Sequence, residues 1–109
     1  MKKKEIIKSK LEYTDIIKNC KYIKNKYFII YYRKNNNNRY GISIPKKTGK
    51  AVIRNKIKRR LKNIIDNNKF NIPNSYDYVI IIRKRLIELN YSEMEINFVN
   101  LIKKLGETK

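Results

Sequence analysis

Between Lys50 and Asn63 the chain reads KAVIRNKIKRRLKN, and two patterns are interleaved in it. Ile53, Ile57, Leu61, Ile64 and Ile65 recur with a helical period and fall within an arc of about 120° when each residue advances by about 100°. From the edge of that arc outward, Arg54, Lys58 and Lys62 follow one another at i, i+4 and i+8, with Asn55 and Arg59 beside them. Seven of these fourteen residues are Lys or Arg. The period predicts a long helix from Ala51 to about Asn68 that buries one side and leaves a cationic stripe on the other. Like charges four apart repel by roughly a few tenths of a kcal/mol per pair, so the stripe needs compensation from outside the helix.

An ordinary solvated face intersperses acids with its bases, and here none occurs until Asp66. Just upstream, PKKTGK sets Lys46, Lys47 and Lys50 around the expected helix N-terminus, where backbone N–H groups and the helix dipole favour a phosphate. The whole chain carries 28 Lys plus Arg against 9 Asp plus Glu, a formal charge of +19. That repulsion weighs against the compact state unless a polyanion is near, and nucleic acid is the expected partner. No apolar run approaches the ~20 residues of a membrane span, and MKKKEIIKSK has too short an apolar stretch for a signal peptide. The expectation is a cytoplasmic protein with no membrane partner and no small-molecule substrate. Cys20 stands alone and there is no His, so neither a disulfide within the chain nor a zinc site is available. Cys20 is expected as a small residue in or near the core. Nor does any convincing cluster of acids offer a general acid and base or a metal cage; no catalytic or metal-binding residue is expected.

The 109 residues make one domain. Ser9 and Glu12 have capping-box spacing, and Leu11, Ile16, Ile17 and Cys20 continue at helical spacing, which predicts a first helix over 10–19. YFIIYYR (27–33) and RYGISI (39–44) read as strands, joined as a hairpin through a loop tip at Asn35–Asn38, with Pro45 ending the second. NIPNS breaks the long helix, and Tyr76–Arg83 reads as a buried strand. Tyr91–Leu105 is expected as the last helix, with Ser92 and Glu95 as capping box, Tyr91 and Ile96 as staple and Gly106 as a left-handed C-terminal residue. The predicted order is α-β-β-α-β-α, a single small α+β domain of one β-sheet with three helices over residues 10–106. Residues 1–9 form a basic N-terminal segment of undetermined order, and residues 107–109 a tail. Tyr13, Tyr27 and Tyr31, near a basic surface, offer stacking platforms for unpaired bases, each worth about 1–3 kcal/mol where a base stacks.

RYGISIPKKTGKAVIRNKIKRRLKN resembles the signature of the protein subunit of bacterial ribonuclease P, and YDYVIIIRK resembles that family's next strand. The likeness runs in order from about Leu11 to Leu105. It implies a protein that does not cut RNA itself. Instead it binds a large catalytic RNA, and the complex removes the 5′ leader from precursor tRNA. Carried over, Arg54, Asn55, Lys56, Lys58, Arg59 and Lys62 match the family's RNA-binding helix, while Tyr13, Ile17 and Tyr31 match its cleft for the single-stranded leader. Magnesium is implied for the complex, held mainly by RNA, and a left-handed β-α-β crossover is implied against the usual right-handed preference. Ile17 stands where the family usually has Phe, and Lys56 replaces the motif's second Arg, which gives up stacking area and bidentate phosphate geometry respectively. By size and charge alone, a structural RNA-binding protein of the ribosome fits equally well.

Overall fold

Phe28–Lys34 and Tyr76–Ile82 lie at the centre because both are apolar on alternate sides and can be covered on each face. The computed structural model describes residues 5–7 and 9–107. They order as α1 (Lys10–Asn19), β1 (Lys21–Lys24), β2 (Phe28–Lys34), β3 (Arg39–Ser43), α2 (Ala51–Asn67), β4 (Tyr76–Ile82) and α3 (Tyr91–Glu107), with short 3-10 turns at Lys46–Thr48, Lys69–Asn71 and Lys84–Glu88. One mixed sheet runs β1-β2-β4-β3, with β3 parallel to β4 and the other pairs antiparallel. Phe28, Ile30, Tyr78 and Ile80 on one face meet Leu61 and Ile64 of α2 and Phe98 of α3 in the larger core, all fully or almost fully buried. Val79 on the other face meets Ile16 of α1 and Ile7 in a smaller one, with Cys20 packed at its margin.

The expected hairpin between 27–33 and 39–44 does not form. β4 inserts between β2 and β3, and the Asn-rich link passes over its end: Asn35 N–H donates to Ser75 O (3.0 Å) and Tyr76 N–H donates to Asn38 Oδ1 (2.9 Å). Pairing on both edges satisfies the backbone of the most buried strand in the chain. The hairpin partner of β2 is β1, a strand not expected from KYIK, where lysines flank a single alternating apolar residue on a sheet edge.

The ends of α3 also differ from expectation. Its capping box is Asn90 with Glu93, Glu93 N–H donating to Asn90 Oδ1 (2.9 Å) and Asn90 N–H to Glu93 Oε1 (3.0 Å), rather than Ser92 with Glu95. Leu89 and Met94 then stand at the staple positions and both join the core, whereas Ile96 is 59% exposed. Gly106 continues the helix, because Leu105 docks in the core and carries the last turn with it. Ile53, expected on the apolar arc of α2, is 41% exposed in the first turn and stays outside the core. At the other terminus Ile6 pairs with Tyr40 on the outer edge of β3, and Ile7 N–H donates to Tyr40 O (3.0 Å). The remainder of the N-terminal segment, residues 1–4 and 8, lies outside the described residues, as do 108–109.

Candidate nucleic-acid interface

Burial of Ile57, Leu61, Ile64 and Ile65 fixes the rotation of α2 and turns its cations outward. Val52, Asn55, Lys58, Arg59 and Lys62 line a shallow groove of about 520 Å³ along that outer side. Arg54 Nε donates to Gly49 O (3.2 Å), which folds its guanidinium back over the start of the helix. Lys56 is exposed but does not line the groove. Lys46 and Lys47 lie on the 3-10 turn and Lys50 is the N-cap, all three exposed; no side chain caps the first turn, so its N–H groups face the same basic surroundings.

Acids are held elsewhere. Asp77, only 1% exposed, accepts hydrogen bonds from Arg33 Nε (3.0 Å), Arg39 Nε (2.8 Å) and Asn35 Nδ2 (2.7 Å). The same arginines reach Asp15 (2.8 Å, Arg33) and Glu12 (2.6 Å, Arg39) on α1. Burial pushes the Asp77 carboxyl up, but the hydrogen bonds from Arg39, Arg33 and Asn35 outweigh it and hold the group below its ordinary 3.8. Glu5 and Asp66 lie against Lys69, Glu95 bonds Asn68, and Glu93 caps α3. Among the described ion pairs, none involves Arg54, Lys56, Lys58, Arg59 or Lys62. This ionic clamp was not anticipated from sequence, although a lone acid inside YDYVIII signals a need for buried partners.

The clamp seats α1 across one end of the sheet's second face. Tyr13 lies on β3 at Gly41, where a Cβ would overlap its ring and hydroxyl. Burial raises the Tyr13 hydroxyl pKa, and a backbone hydrogen bond at Ile42 opposes the shift. Ile17 stays partly exposed, and Tyr31 packs at the edge of the small core with its ring 5.4 Å from that of Tyr22. Tyr13 and Tyr31 thus both pack on the smaller core, and Ile17 follows Tyr13 by one turn of α1. Tyr27 does not join them: it precedes β2 and packs on the larger core. Tyr13 also lines a groove of about 310 Å³ with Ile6, Ile7, Tyr40, Ile42, Lys58 and Lys62, so Tyr13 and two lysines of the cationic helix border common space.

The sequence profile of the family described as Ribonuclease P matches residues 1–106. The chain belongs to the ribonuclease P protein family. It is 43% identical over 108 residues to the ribonuclease P protein component of Mycoplasma capricolum, covering 96% of this chain and 99% of that protein. Against the component from Streptococcus pneumoniae serotype 4 it is 39% identical, covering 94% and 85%. Among solved structures, the ribonuclease P protein of Thermotoga maritima superposes with a TM-score of 0.85 at 35% identity, covering 92% of this chain and 96% of that one. A Staphylococcus aureus ribonuclease P protein mutant, described as defective in mRNA degradation, gives 0.89 at 28% identity, covering 95% and 90%. Mirror-image crossovers would not superpose in this way, so the β3-α2-β4 connection has the same hand in all three. The protein is therefore an RNA-binding subunit of ribonuclease P with a role in tRNA processing, and the ribosomal alternative falls away.

Among the described residues no three His, Cys, Asp or Glu side chains converge as a metal site, and no helix is long and apolar enough to cross a membrane.

Proposed function

We propose that this subunit works without catalytic side chains of its own, holding the catalytic RNA on α2 and the 5′ leader of precursor tRNA on the face shared by α1 and the sheet. The observation that carries this reading is the groove common to Tyr13, Lys58 and Lys62. It lets one strand of RNA pass from the lysines of α2 to the half-buried ring of Tyr13. Phosphate contacts from Lys46, Lys47, Lys50, Arg54, Lys58, Arg59 and Lys62, supported by Asn55 and Lys56, supply affinity and register. Tyr13, Ile17 and Tyr31 accept bases of any identity, because every base has a π-face.

In this reading Mg²⁺ is held by RNA phosphates, and the protein's cations lower the Mg²⁺ concentration the complex requires. Hydrolysis belongs to the RNA. The working compartment is the cytoplasm, where precursor tRNA is made. Tyr31→Ala tests the assignment: affinity for leader-bearing precursor should fall by about 5-fold or more while affinity for mature tRNA is kept. Equal losses on the two RNAs would remove the leader from this face.

A further inference from the structure

The sheet register lays out two rows of side chains across the face that carries Tyr13 and Tyr31. The first is Tyr22, Tyr31, Val79 and Gly41; the second is Lys24, Ile29, Ile81 and Ser43. α1 lies over the first row, through Ile16 on Val79 and Tyr13 on Gly41. Ile29, Ile81 and Ser43 of the second row are half-buried and form a strip of the sheet face, the trough, that runs beside Tyr22 and Tyr31 of the first. Neither row contains an acid. At the β3 end the trough leads, three and four residues beyond Ser43, to Lys46 and Lys47. At the opposite end it reaches the edge strand β1, where Tyr22 is 52% exposed with its ring 5.4 Å from Tyr31 and tilted by 45°, and Lys24 is exposed on the same side.

The geometry points to a distal leader subsite on β1, made by Tyr22 and Lys24, that takes a base and a phosphate of the single strand as it leaves the trough. The subsite rests on the leader assignment proposed above. Strand spacing of about 4.8 Å makes the crossing from β3 to β1 about 14 Å, or about four nucleotides at roughly 3.4 Å per stacked base. Short leaders end before Tyr22 and longer ones cover it. Tyr22 suits this role physically: an aromatic residue 52% exposed on an edge strand gains little from folding, and about half of it stays open to solvent beside Tyr31. Lys24 supplies the charge. A single strand crossing here meets an aromatic contact and a phosphate contact together, the pairing used by sequence-tolerant single-strand binders.

The test compares precursor tRNAs with leaders of two and ten nucleotides, bound by the protein reconstituted with its cognate catalytic RNA. Tyr22→Ala should weaken the ten-nucleotide leader by about 5- to 100-fold and the two-nucleotide leader far less, with Tyr22→Phe restoring affinity. Lys24→Ala, which leaves the ring in place, should lower the log–log salt slope for the long leader by about 0.7. Unfolding curves of each variant matched to the parent protein separate binding from folding. Tyr31→Ala serves as the control. If it discriminates between the leaders while Tyr22→Ala and Lys24→Ala leave the long leader unaffected, or weaken both leaders equally, the distal subsite is wrong and the trough stands. If Tyr31→Ala also fails to discriminate, the leader assignment itself falls.

Discussion

Asp77→Asn removes the charge at the centre of the clamp that seats α1. In the native protein the carboxylate takes hydrogen bonds from Arg33, Asn35 and Arg39 at 2.7–3.0 Å while almost wholly buried. Breaking a buried pair from one side costs about 3–5 kcal/mol. Arg33 and Arg39 remain 29% and 27% exposed and keep Asp15 and Glu12, which places the expected cost near the lower end, about 3 kcal/mol. For a domain of this size that lowers Tm by about 10–20 °C. The pH dependence follows from the depressed carboxyl. Its stabilisation is present above the ordinary 3.8 and is lost as pH falls through the lower folded value. Thermal melts of parent and variant, followed by circular dichroism, should therefore differ most well above the ordinary 3.8 and converge as pH falls below it. A drop in Tm under about 3 °C, or a gap that does not shrink with acid, would refute the assignment of Asp77 as the clamp's centre.

Other substitutions separate the parts. Gly41→Ala forces Tyr13 off its bed on β3, and leader-bearing precursor should bind more weakly than it does to the parent, with mature tRNA little affected, in a filter-binding comparison. Arg54→Ala or Lys58→Ala should flatten the log–log salt dependence of RNA binding by about 0.7–0.9 for each phosphate left without its cation; an unchanged slope counts against α2 as the RNA face. Ser75, at φ 70° before β4, occupies the left-handed region that costs a non-glycine residue about 1–2 kcal/mol. Ser75→Gly should consequently raise the denaturant midpoint, with part of that gain offset by the greater freedom of glycine in the unfolded chain.

Much of this architecture can be read from periodicity. α2 is legible because apolar residues keep a helical period for three turns, and β4 because its run is short, apolar and bounded by turn residues. Sheet order is not legible in the same way. Adjacent strands in sequence favour a hairpin, and the parallel pairing of β3 with β4 depends on α2 packing across the sheet, an interaction among residues far apart in the chain. β1 escapes notice because an exposed edge strand needs few apolar residues and draws its order from β2. The cap of α3 shows how finely such signals compete: Ser92 and Asn90 both precede a Glu by three residues, and the docking of Met94 and Leu89 selects Asn90.

The site divides similarly. Cations on α2 stand out because no acid relieves them, and the structure keeps them outside every described ion pair. Arg33 and Arg39 add to the same formal charge, yet they are used inside the fold to hold Asp77, Glu12 and Asp15. Total charge therefore overstates the surface offered to RNA. Tyr22 and Lys24 become visible only when β1 is in register with β2, because their meaning depends on which face of the sheet they share.

The proposal that this chain assists an RNA catalyst and performs no cleavage of its own is best tested by multiple-turnover cleavage of a leader-bearing precursor tRNA. The reaction is run at low millimolar Mg²⁺ by the cognate catalytic RNA, with and without the protein, beside the protein alone. The expected result is a single cut at the mature 5′ end, faster with protein than without, and no product from protein alone. Unchanged RNA activity on adding the protein, or cleavage by the protein without RNA, would contradict the assignment of this chain as a non-catalytic subunit.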